Sequence, residues 1–183
     1  MTQTVLFVCT ANICRSPYAA RALRHALGAD SGFEVFSAGV RSEWLELVGE
    51  PACPEMPAVG SDDAPHAATQ LTAELVRDAD LIVAFEAAHR AAIVDLIPRA
   101  QIKTYTARQV ERLARAVAAP TWPPAAPAPS EDPLKDLNGA RSWAPFAEDH
   151  DVTDPHGDGI EAHQACAGEI DAVITALAKV LQR

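Results

Sequence analysis

Four short segments along the chain, two of them largely apolar, predict the strands of one sheet. Residues 5–8 are continuously apolar and rich in β-forming side chains, which is typical of a central parallel strand covered on both faces. Residues 33–37 alternate weakly between apolar and polar positions, residues 80–85 are again largely apolar, and residues 102–105 suit an edge strand. The pattern therefore predicts a sheet of four strands.

Apolar residues at helical spacing fill the intervals between these runs. The predicted helices cover residues 17–27, 71–76, 86–96, 107–117 and 160–181. Strands that alternate with helices form parallel sheets through right-handed crossovers. We therefore expect an α/β fold of three layers, a four-stranded parallel sheet with helices on both faces. A ligand site is expected at the carboxyl end of the first strand.

The segment of residues 118–149 differs in composition from the rest of the chain. It contains seven prolines and repeated Ala-Pro pairs, which favour extended, polyproline-like chain and predict that no regular element forms there. A connection of this length is typically a lid, a binding loop or an insertion. Residues 1–183 are thus predicted to form a single domain with a Pro/Ala-rich insertion at about 118–149.

Composition and charge limit the partners and the compartment that we expect. The 183 residues are 49% hydrophobic and carry a formal net charge of −10 at pH 7, which argues against nucleic-acid binding. No apolar run approaches the ~20 residues of a membrane span, and the N-terminal sequence lacks the basic region of a signal peptide. Without secretory context, the four cysteines are expected to be reduced thiols. These features predict a cytoplasmic protein with neither a nucleic-acid nor a membrane partner.

The segment between the first strand and the first helix has the composition of an anion site. Cys9 ends the strand and Arg15 stands just before the helix, with Ser16 predicted as the N-cap and Pro17 as the first helical residue. Backbone N–H groups at a helix N-terminus attract anions, and an arginine adds a bidentate clamp for phosphate oxygens. The same surroundings favour the thiolate of Cys9. A buried core cysteine is the ordinary alternative, but it explains neither the arginine nor the Ser-Pro pair.

Residues 9–17, Cys-Thr-Ala-Asn-Ile-Cys-Arg-Ser-Pro, resemble the phosphate loop of the low-molecular-weight protein tyrosine phosphatases, with its Cys-X5-Arg spacing. The resemblance implies that Cys9 is the nucleophile and that Arg15 binds the phosphoryl group. It also implies substrate-binding roles for the other loop residues and the following serine, namely Thr10, Ala11, Asn12, Ile13, Cys14 and Ser16. In the family, the asparagine braces the loop and the second cysteine can pair with the nucleophile, which protects it from irreversible oxidation.

The Asp154-Pro155 pair supplies a candidate general acid, which a leaving alkoxide or phenoxide requires. An Asp-Pro pair alone is more often a solvated turn. The family, however, carries its general acid in an Asp-Pro pair just before the last helix, which is the place of Asp154. Together with the loop, this pair predicts double displacement through a phosphocysteine: Cys9 attacks phosphorus, and Asp154 protonates the leaving group and then activates water.

Acidic and thiol residues near these segments do not match a metal site. Asp154, His156 and Asp158 fall at calcium-loop spacing, but Ala165 stands where the closing carboxylate would be needed. The spacing of the two loop cysteines is atypical for zinc, and no second pair follows. We therefore expect neither a metal nor another cofactor.

Two further residues bear on the leaving group of the substrate. Trp44 lies where the family places an aromatic wall beside a phosphotyrosine ring, although a surface tryptophan is a close alternative. His156 follows the Asp-Pro pair, where the family usually carries an aromatic residue. The expected partner is a phosphotyrosine-bearing protein or a small aryl phosphate, and the oligomeric state is left open.

Two other functions are compatible with the same loop. An arsenate reductase on this fold would also use Cys9, but it needs further redox cysteines, and residues 80–98 contain none. A phosphate-binding regulatory module without turnover would need no general acid, whereas Asp154 is present. Both alternatives rank below a phosphatase that acts on aryl phosphates.

Overall fold

The centre of the fold is a four-stranded parallel sheet in the order β2-β1-β3-β4. Its strands are β1 (Gln3–Cys9), β2 (Phe33–Gly39), β3 (Leu81–Ala84) and β4 (Thr104–Thr106). The structure is a computed structural model that describes residues 2–42, 56–59, 66–119, 126–148 and 151–183. Trp44, the predicted aromatic wall, lies outside the described residues.

Helices cover both faces of the sheet, which confirms the predicted three-layer α/β fold. They are α1 (Arg15–Leu27), α2 (Ala73–Asp78), α3 (Ala87–Leu96), α4 (Ala107–Val117), α5 (Pro133–Gly139) and α6 (Gly159–Leu181), with 3-10 turns at Pro98–Lys103 and Ala140–Ser142. Helices α1, α4 and α6 pack on one face, and α2 and α3 pack on the other. None of these described helices is long and apolar enough to cross a membrane.

Strand β1 lies between two hydrophobic cores, which explains its uninterrupted apolar run. Val5 and Phe7 pack beneath α1, α4 and α6, whereas Leu6 and Val8 point into the core beneath α2 and α3. All four side chains are fully buried, because successive residues of a strand face opposite sides of the sheet. The strand is thereby held rigidly, and the loop that follows its carboxyl end starts from a fixed point.

The first helix begins two residues earlier than the sequence predicts, and Ser16 is not its N-cap. Helix α1 starts at Arg15, the N-cap is Cys14, and no side chain caps the helix. Ser16 lies in the first turn, where its hydroxyl is within hydrogen-bond distance of the Cys9 thiol. The prediction was wrong because a serine hydroxyl that could cap a helix bonds here to the thiol instead.

Helix α5 lies inside the proline-rich segment that was predicted to contain no regular element. Asp132 caps this helix by accepting from the backbone N–H groups of Leu134 and Lys135, and Pro133 is the first helical residue. Proline is tolerated at that position because its missing N–H would have no partner within the helix. The prediction was wrong because a proline at the first position of a helix, where Pro133 stands, does not prevent the helix from forming.

The edge strand is shorter than predicted. Ile102 belongs to the 3-10 turn before β4 and is 69% exposed, and pairing with β3 begins only at Thr104. The side chain of Ile102 therefore faces solvent, whereas Tyr105 within the strand is buried.

Candidate active site

The loop between β1 and α1 packs tightly against the carboxyl end of β2. Cys9 is in register with Gly39, the N–H of Val40 donates to the Cys9 carbonyl at 3.0 Å, and the N–H of Arg41 donates to the Thr10 carbonyl at 2.8 Å. A Cβ atom at Gly39 would lie only 2.7 Å from that Thr10 oxygen. Only glycine fits there, so the path of the loop depends on the sequence at the end of β2.

Asn12 holds the turn of the loop through its side chain and its backbone. It adopts a left-handed φ of 57°, which asparagine tolerates better than most residues. Its Nδ2 donates to the hydroxyls of Ser16 and Ser37 at 2.9 Å each, and its Oδ1 accepts from the Thr69 N–H at 2.8 Å. His66 Nε2 donates to the Asn12 carbonyl at 2.6 Å, and burial lowers the pKa of this imidazole. The turn is thus held by hydrogen bonds to four different residues.

The thiol of Cys9 lies at the floor of the site, within hydrogen-bond distance of a hydroxyl and a backbone N–H. The Ser16 hydroxyl is 3.0 Å from Sγ, and the backbone N–H of Asn12 donates to Sγ at 3.3 Å. Cys9 is only 3% exposed, so these donors replace most of the water that would solvate a thiolate. Both groups are thus placed to contact the sulfur during a reaction.

Arg15 is a buried cation with three partners. Its Nη1 donates to Glu86 Oε1 at 2.6 Å and to the Val152 carbonyl at 2.9 Å, and its Nη2 lies 2.7 Å from Asp154 Oδ2. The Arg15 side chain is 1% exposed, whereas that of Asp154 is 43% exposed. The Glu86 and Val152 contacts fix the plane of the guanidinium, and the more exposed carboxylate sits on the edge that faces the site.

The segment that carries Asp154 is attached to the sheet just beyond β3. The Val152 N–H donates to the Phe85 carbonyl at 3.0 Å, and Asp151 Oδ1 accepts from the Ala87 N–H at 2.8 Å, where α3 begins. These contacts bring a carboxylate that is 139 positions from Arg15 in sequence into contact with the phosphate loop. The backbone N–H of His156 also lies 3.4 Å from Asp154 Oδ1.

A pocket of about 110 Å³ opens directly above the Cys9 thiol. It is lined by most of the residues that the sequence singled out, namely Cys9, Thr10, Ala11, Ile13, Cys14, Arg15, Asp154 and His156. Asn12 and Ser16 lie behind the loop, where both are fully buried and bonded to each other. A volume of this size accommodates a phosphoryl group with the first atoms of its ester.

Three side chains that bind to the loop escaped the sequence analysis. Glu86 pairs with Arg15, His89 Nε2 lies 2.9 Å from the Thr10 hydroxyl, and His66 supports Asn12. A weak signal existed for Glu86, since it follows directly after a predicted strand at the carboxyl edge of the sheet. Nothing local marks the two histidines, because their contacts depend on how distant segments meet.

Other nucleophilic or metal-binding groups add nothing to this pocket. Burial raises the pKa of the Cys166 thiol to about 12, so it remains protonated at neutral pH. Across the ranges of the chain that are described, no three His, Cys, Asp or Glu side chains converge as metal ligands would.

The sequence and the fold both match known proteins. The family model described as low molecular weight phosphotyrosine protein phosphatase matches residues 4–118. The low molecular weight protein-tyrosine-phosphatase Etp of Escherichia coli K12 is 40% identical over 105 residues, which are 55% of this chain and 66% of that protein. The protein-arginine-phosphatase of Geobacillus stearothermophilus is 30% identical over 185 residues, 100% of this chain and 98% of that protein.

A solved structure also matches over nearly the whole chain. Vibrio vulnificus Wzb in complex with benzylphosphonate superposes with a TM-score of 0.65 and 26% identity, covering 98% of this chain and 99% of that one. The family model spans more than half of the chain, and a relative at 30% identity spans nearly all of it. With the Cys-X5-Arg loop at the end of β1, these matches show that the chain belongs to the low-molecular-weight phosphotyrosine protein phosphatase family.

Proposed function

We propose that this protein is a phosphatase that hydrolyses aryl phosphate monoesters, with phosphotyrosine in proteins as the substrate, through a phosphocysteine intermediate. The observation that carries the proposal is the convergence of three groups on one small pocket. The Cys9 thiol forms its floor, and the Arg15 guanidinium and the Asp154 carboxylate stand 2.7 Å apart in its wall. A nucleophile, an anion clamp and a proton donor are the parts that phosphoryl transfer to a thiol requires.

In the first step, the phosphate dianion displaces the Asp154 carboxylate from Nη2 of Arg15. The guanidinium and the loop N–H groups then hold the equatorial oxygens, while the Cys9 thiolate attacks phosphorus in line with the ester oxygen. The S–P bond forms as the P–O bond to the leaving group breaks. Asp154, released from the guanidinium, takes up a proton from solvent and gives it to the leaving oxygen.

In the second step, Asp154 accepts a proton from a water molecule that attacks the phosphocysteine. The P–O bond forms and the P–S bond breaks, so the thiolate returns and inorganic phosphate leaves. The Ser16 hydroxyl at 3.0 Å and the Asn12 N–H at 3.3 Å stabilise the departing thiolate. The same two groups thus lower the barrier by making sulfur a better leaving group.

The chemistry of the pocket wall favours an aryl ester. Ile13 and Ala11 present apolar side chains around the phosphate position, and His156 supplies a planar ring on the side of Asp154. A phenyl ring packs against such groups without leaving polar atoms unpaired. The related Wzb was solved with benzylphosphonate, an aryl-methyl phosphonate, which supports the same substrate class here.

A second candidate substrate is phosphoarginine in proteins, because the full-length relative is a protein-arginine-phosphatase. A phosphoguanidinium carries several N–H donors that need acceptors in the pocket. Among the lining residues that are described, Asp154 is the one carboxylate, and Ile13 offers no acceptor at the loop. We therefore rank phosphoarginine second.

The test compares phosphate release from a phosphotyrosine peptide and from a phosphoarginine peptide of the same sequence. Wild type should hydrolyse the phosphotyrosine peptide faster, Cys9→Ser should be inactive, and Asp154→Asn should lose about 10²- to 10⁴-fold in kcat. Arsenate reduction with a thiol donor is measured alongside. No release by wild type, or full activity without the Cys9 thiol, would overturn the proposal, and faster release from phosphoarginine would reverse the ranking.

Organisation and location are proposed on the same basis. Residues 1–183 act as one phosphatase domain in which the Pro/Ala-rich segment at about 118–149 is an insertion, and the enzyme is cytoplasmic. Two observations support the first point. The family model ends at residue 118, and α6 beyond the insertion packs against α1 and α4 in the same core.

A further inference from the structure

Thr10 and His89 form a partly buried pair at the edge of the phosphate pocket, and the double displacement described above uses neither side chain. The Thr10 hydroxyl lies 2.9 Å from Nε2 of His89, and Thr10 lines the pocket. His89 is 3% exposed, and its other ring nitrogen, Nδ1, is buried without a hydrogen-bond partner in the part of the chain that is described. The pair therefore sits between the reacting phosphate and the interior.

The surroundings of the imidazole decide which atom donates in this contact. Nε2 of His89 is also 3.7 Å from Glu86 Oε1, so an N–H at Nε2 faces a carboxylate, whereas a lone pair there would face it unfavourably. The opposite tautomer would place its N–H on the orphaned Nδ1, and buried N–H groups without partners are rare. Burial lowers the pKa of His89, which favours a neutral ring with a single N–H. Nε2–H is therefore the donor, and Thr10 Oγ1 accepts.

This assignment leaves the hydroxyl proton of Thr10 available. A hydroxyl that accepts one hydrogen bond can still donate its own proton in another direction. Among the described residues, His89 is the hydrogen-bond partner of Thr10 Oγ1, and no protein oxygen accepts from that hydroxyl. The open direction lies toward the pocket that Thr10 lines.

We propose that His89 is a positioning residue that orients the Thr10 hydroxyl, so that Thr10 donates a hydrogen bond to an oxygen of the bound phosphate. This inference rests on the proposed phosphatase function for its role in turnover. Its binding step, however, needs only an oxyanion in the pocket. Thr10 adds a neutral side-chain donor to the backbone N–H groups and the single guanidinium of the loop. Because His89 holds the hydroxyl in place before phosphate arrives, little ordering is required on binding.

The test uses inorganic phosphate as the probe, with affinity measured by calorimetry, together with kcat and KM for an aryl phosphate. Thr10→Val removes the hydroxyl at nearly constant shape and should weaken phosphate binding by about 10- to 100-fold, as expected for a hydrogen bond to a charged group. Thr10→Ser keeps the hydroxyl and should bind nearly as well as wild type. His89→Leu should weaken binding by about two- to tenfold, because the hydroxyl remains but is no longer oriented.

Two comparisons separate orientation from simple packing. His89→Gln places an amide N–H near the position of Nε2 and should restore the affinity that His89→Leu loses. In a Thr10→Val background, His89→Gln and His89→Leu should bind phosphate equally, since no hydroxyl remains to orient. Thermal unfolding of each variant establishes that the protein compared is folded. Equal losses from His89→Leu with and without the threonine hydroxyl would show a packing role and overturn the inference.

The tautomer gives an independent readout. Nitrogen-15 NMR of the imidazole should show His89 as the neutral Nε2–H form in the phosphate-free protein, and the Nδ1–H form would contradict the assignment. The outcomes also separate this inference from the proposed function. If wild type binds phosphate but hydrolyses no ester, the function fails and the phosphate affinities still test the pair. If wild type hydrolyses esters and Thr10→Val binds phosphate normally, only the inference about the pair fails.

Discussion

The ion pair between Arg15 and Asp154 places a carboxylate of the protein itself on the guanidinium that binds phosphate. The carboxylate lies 2.7 Å from Nη2, on the guanidinium edge that faces the pocket, so a phosphate must displace it before binding. Replacing Asp154 by asparagine removes the competing charge and keeps the shape. We therefore predict that Asp154→Asn binds inorganic phosphate more tightly than wild type, although the same change removes the proton donor for turnover.

The size of the gain follows from the exposure of the two partners. Ion pairs between exposed side chains contribute about 0.2–1 kcal/mol. The Asp154 side chain is 43% exposed, which places it in this class, but the Arg15 side chain is 1% exposed and held by two other acceptors, which favours the upper end. If the substitution removes about 1 kcal/mol of ion-pair energy that competes with phosphate, phosphate should bind about fivefold more tightly. Catalysis should fall by about 10²- to 10⁴-fold.

The assay is calorimetric titration with inorganic phosphate at pH 7 and low ionic strength, beside steady-state hydrolysis of an aryl phosphate. Asp158→Asn is the matched control, because it makes the same change in net charge a few residues away, at the N-cap of α6, where the side chain makes no capping bond. This control should change neither phosphate affinity nor kcat by more than about twofold, since exposed charges at a distance are screened. If Asp154→Asn binds phosphate no more tightly than the control does, the competition argument is refuted.

Three other predictions concern stability and redox chemistry. Burial lowers the pKa of both His66 and His89, so at acidic pH the unfolded chain binds more protons than the folded chain does. The free energy of unfolding, measured in urea, should therefore be highest above about pH 6.5. It should decrease towards pH 5.5, by at most about 1.4 kcal/mol per pH unit for each histidine. Gly39→Ala should cost about 1–3 kcal/mol in the same measurement and reduce activity, since the new methyl would meet the loop backbone. Peroxide should produce a Cys9–Cys14 disulfide, detectable by mass spectrometry and reversed by thiol.

Controls for these predictions are available in the chain. Replacing both histidines by glutamine should flatten the pH dependence, and an unchanged slope would contradict the assignment. Gly168→Ala is the counterpart of Gly39→Ala, because an added Cβ at 168 meets nothing within 4 Å inside α6 and should stabilise by about 0.5–1 kcal/mol. For the disulfide, the Cys14→Ser variant is treated with peroxide and then with thiol. If its activity recovers to the same extent as that of wild type, Cys14 has no protective role.

The sequence predicts the architecture well because the features that determine it are local. The apolar run of β1 indicates burial on both faces. The spacing of Cys9 and Arg15 indicates that an anion-binding loop connects a strand to a helix. Errors arose where one residue type has two uses. Ser16 could cap a helix or bond to a thiol, and Pro133 could break a helix or begin one.

The supporting contacts of the site could not be predicted because they are distant in sequence. Thr10 and His89 are 79 residues apart, and Arg15 and Val152 are 137 apart. No pattern around His89 distinguishes it from a histidine on a helix surface. Only the packing of α3 beside the loop gives this residue its place, and sequence periodicity alone does not define that packing.

The hydrogen bonds that hold Asn12 have a consequence for the dynamics of the phosphate loop. Binding loops usually belong to the least stable parts of a protein, where backbone amides exchange with solvent through local opening. Here the turn is held by two serine hydroxyls, the Thr69 amide and His66. All of these contacts are made within the protein itself, so opening the loop would break a buried polar network. Its amide hydrogens should therefore exchange about as slowly as those of β1, and phosphate should slow them little further.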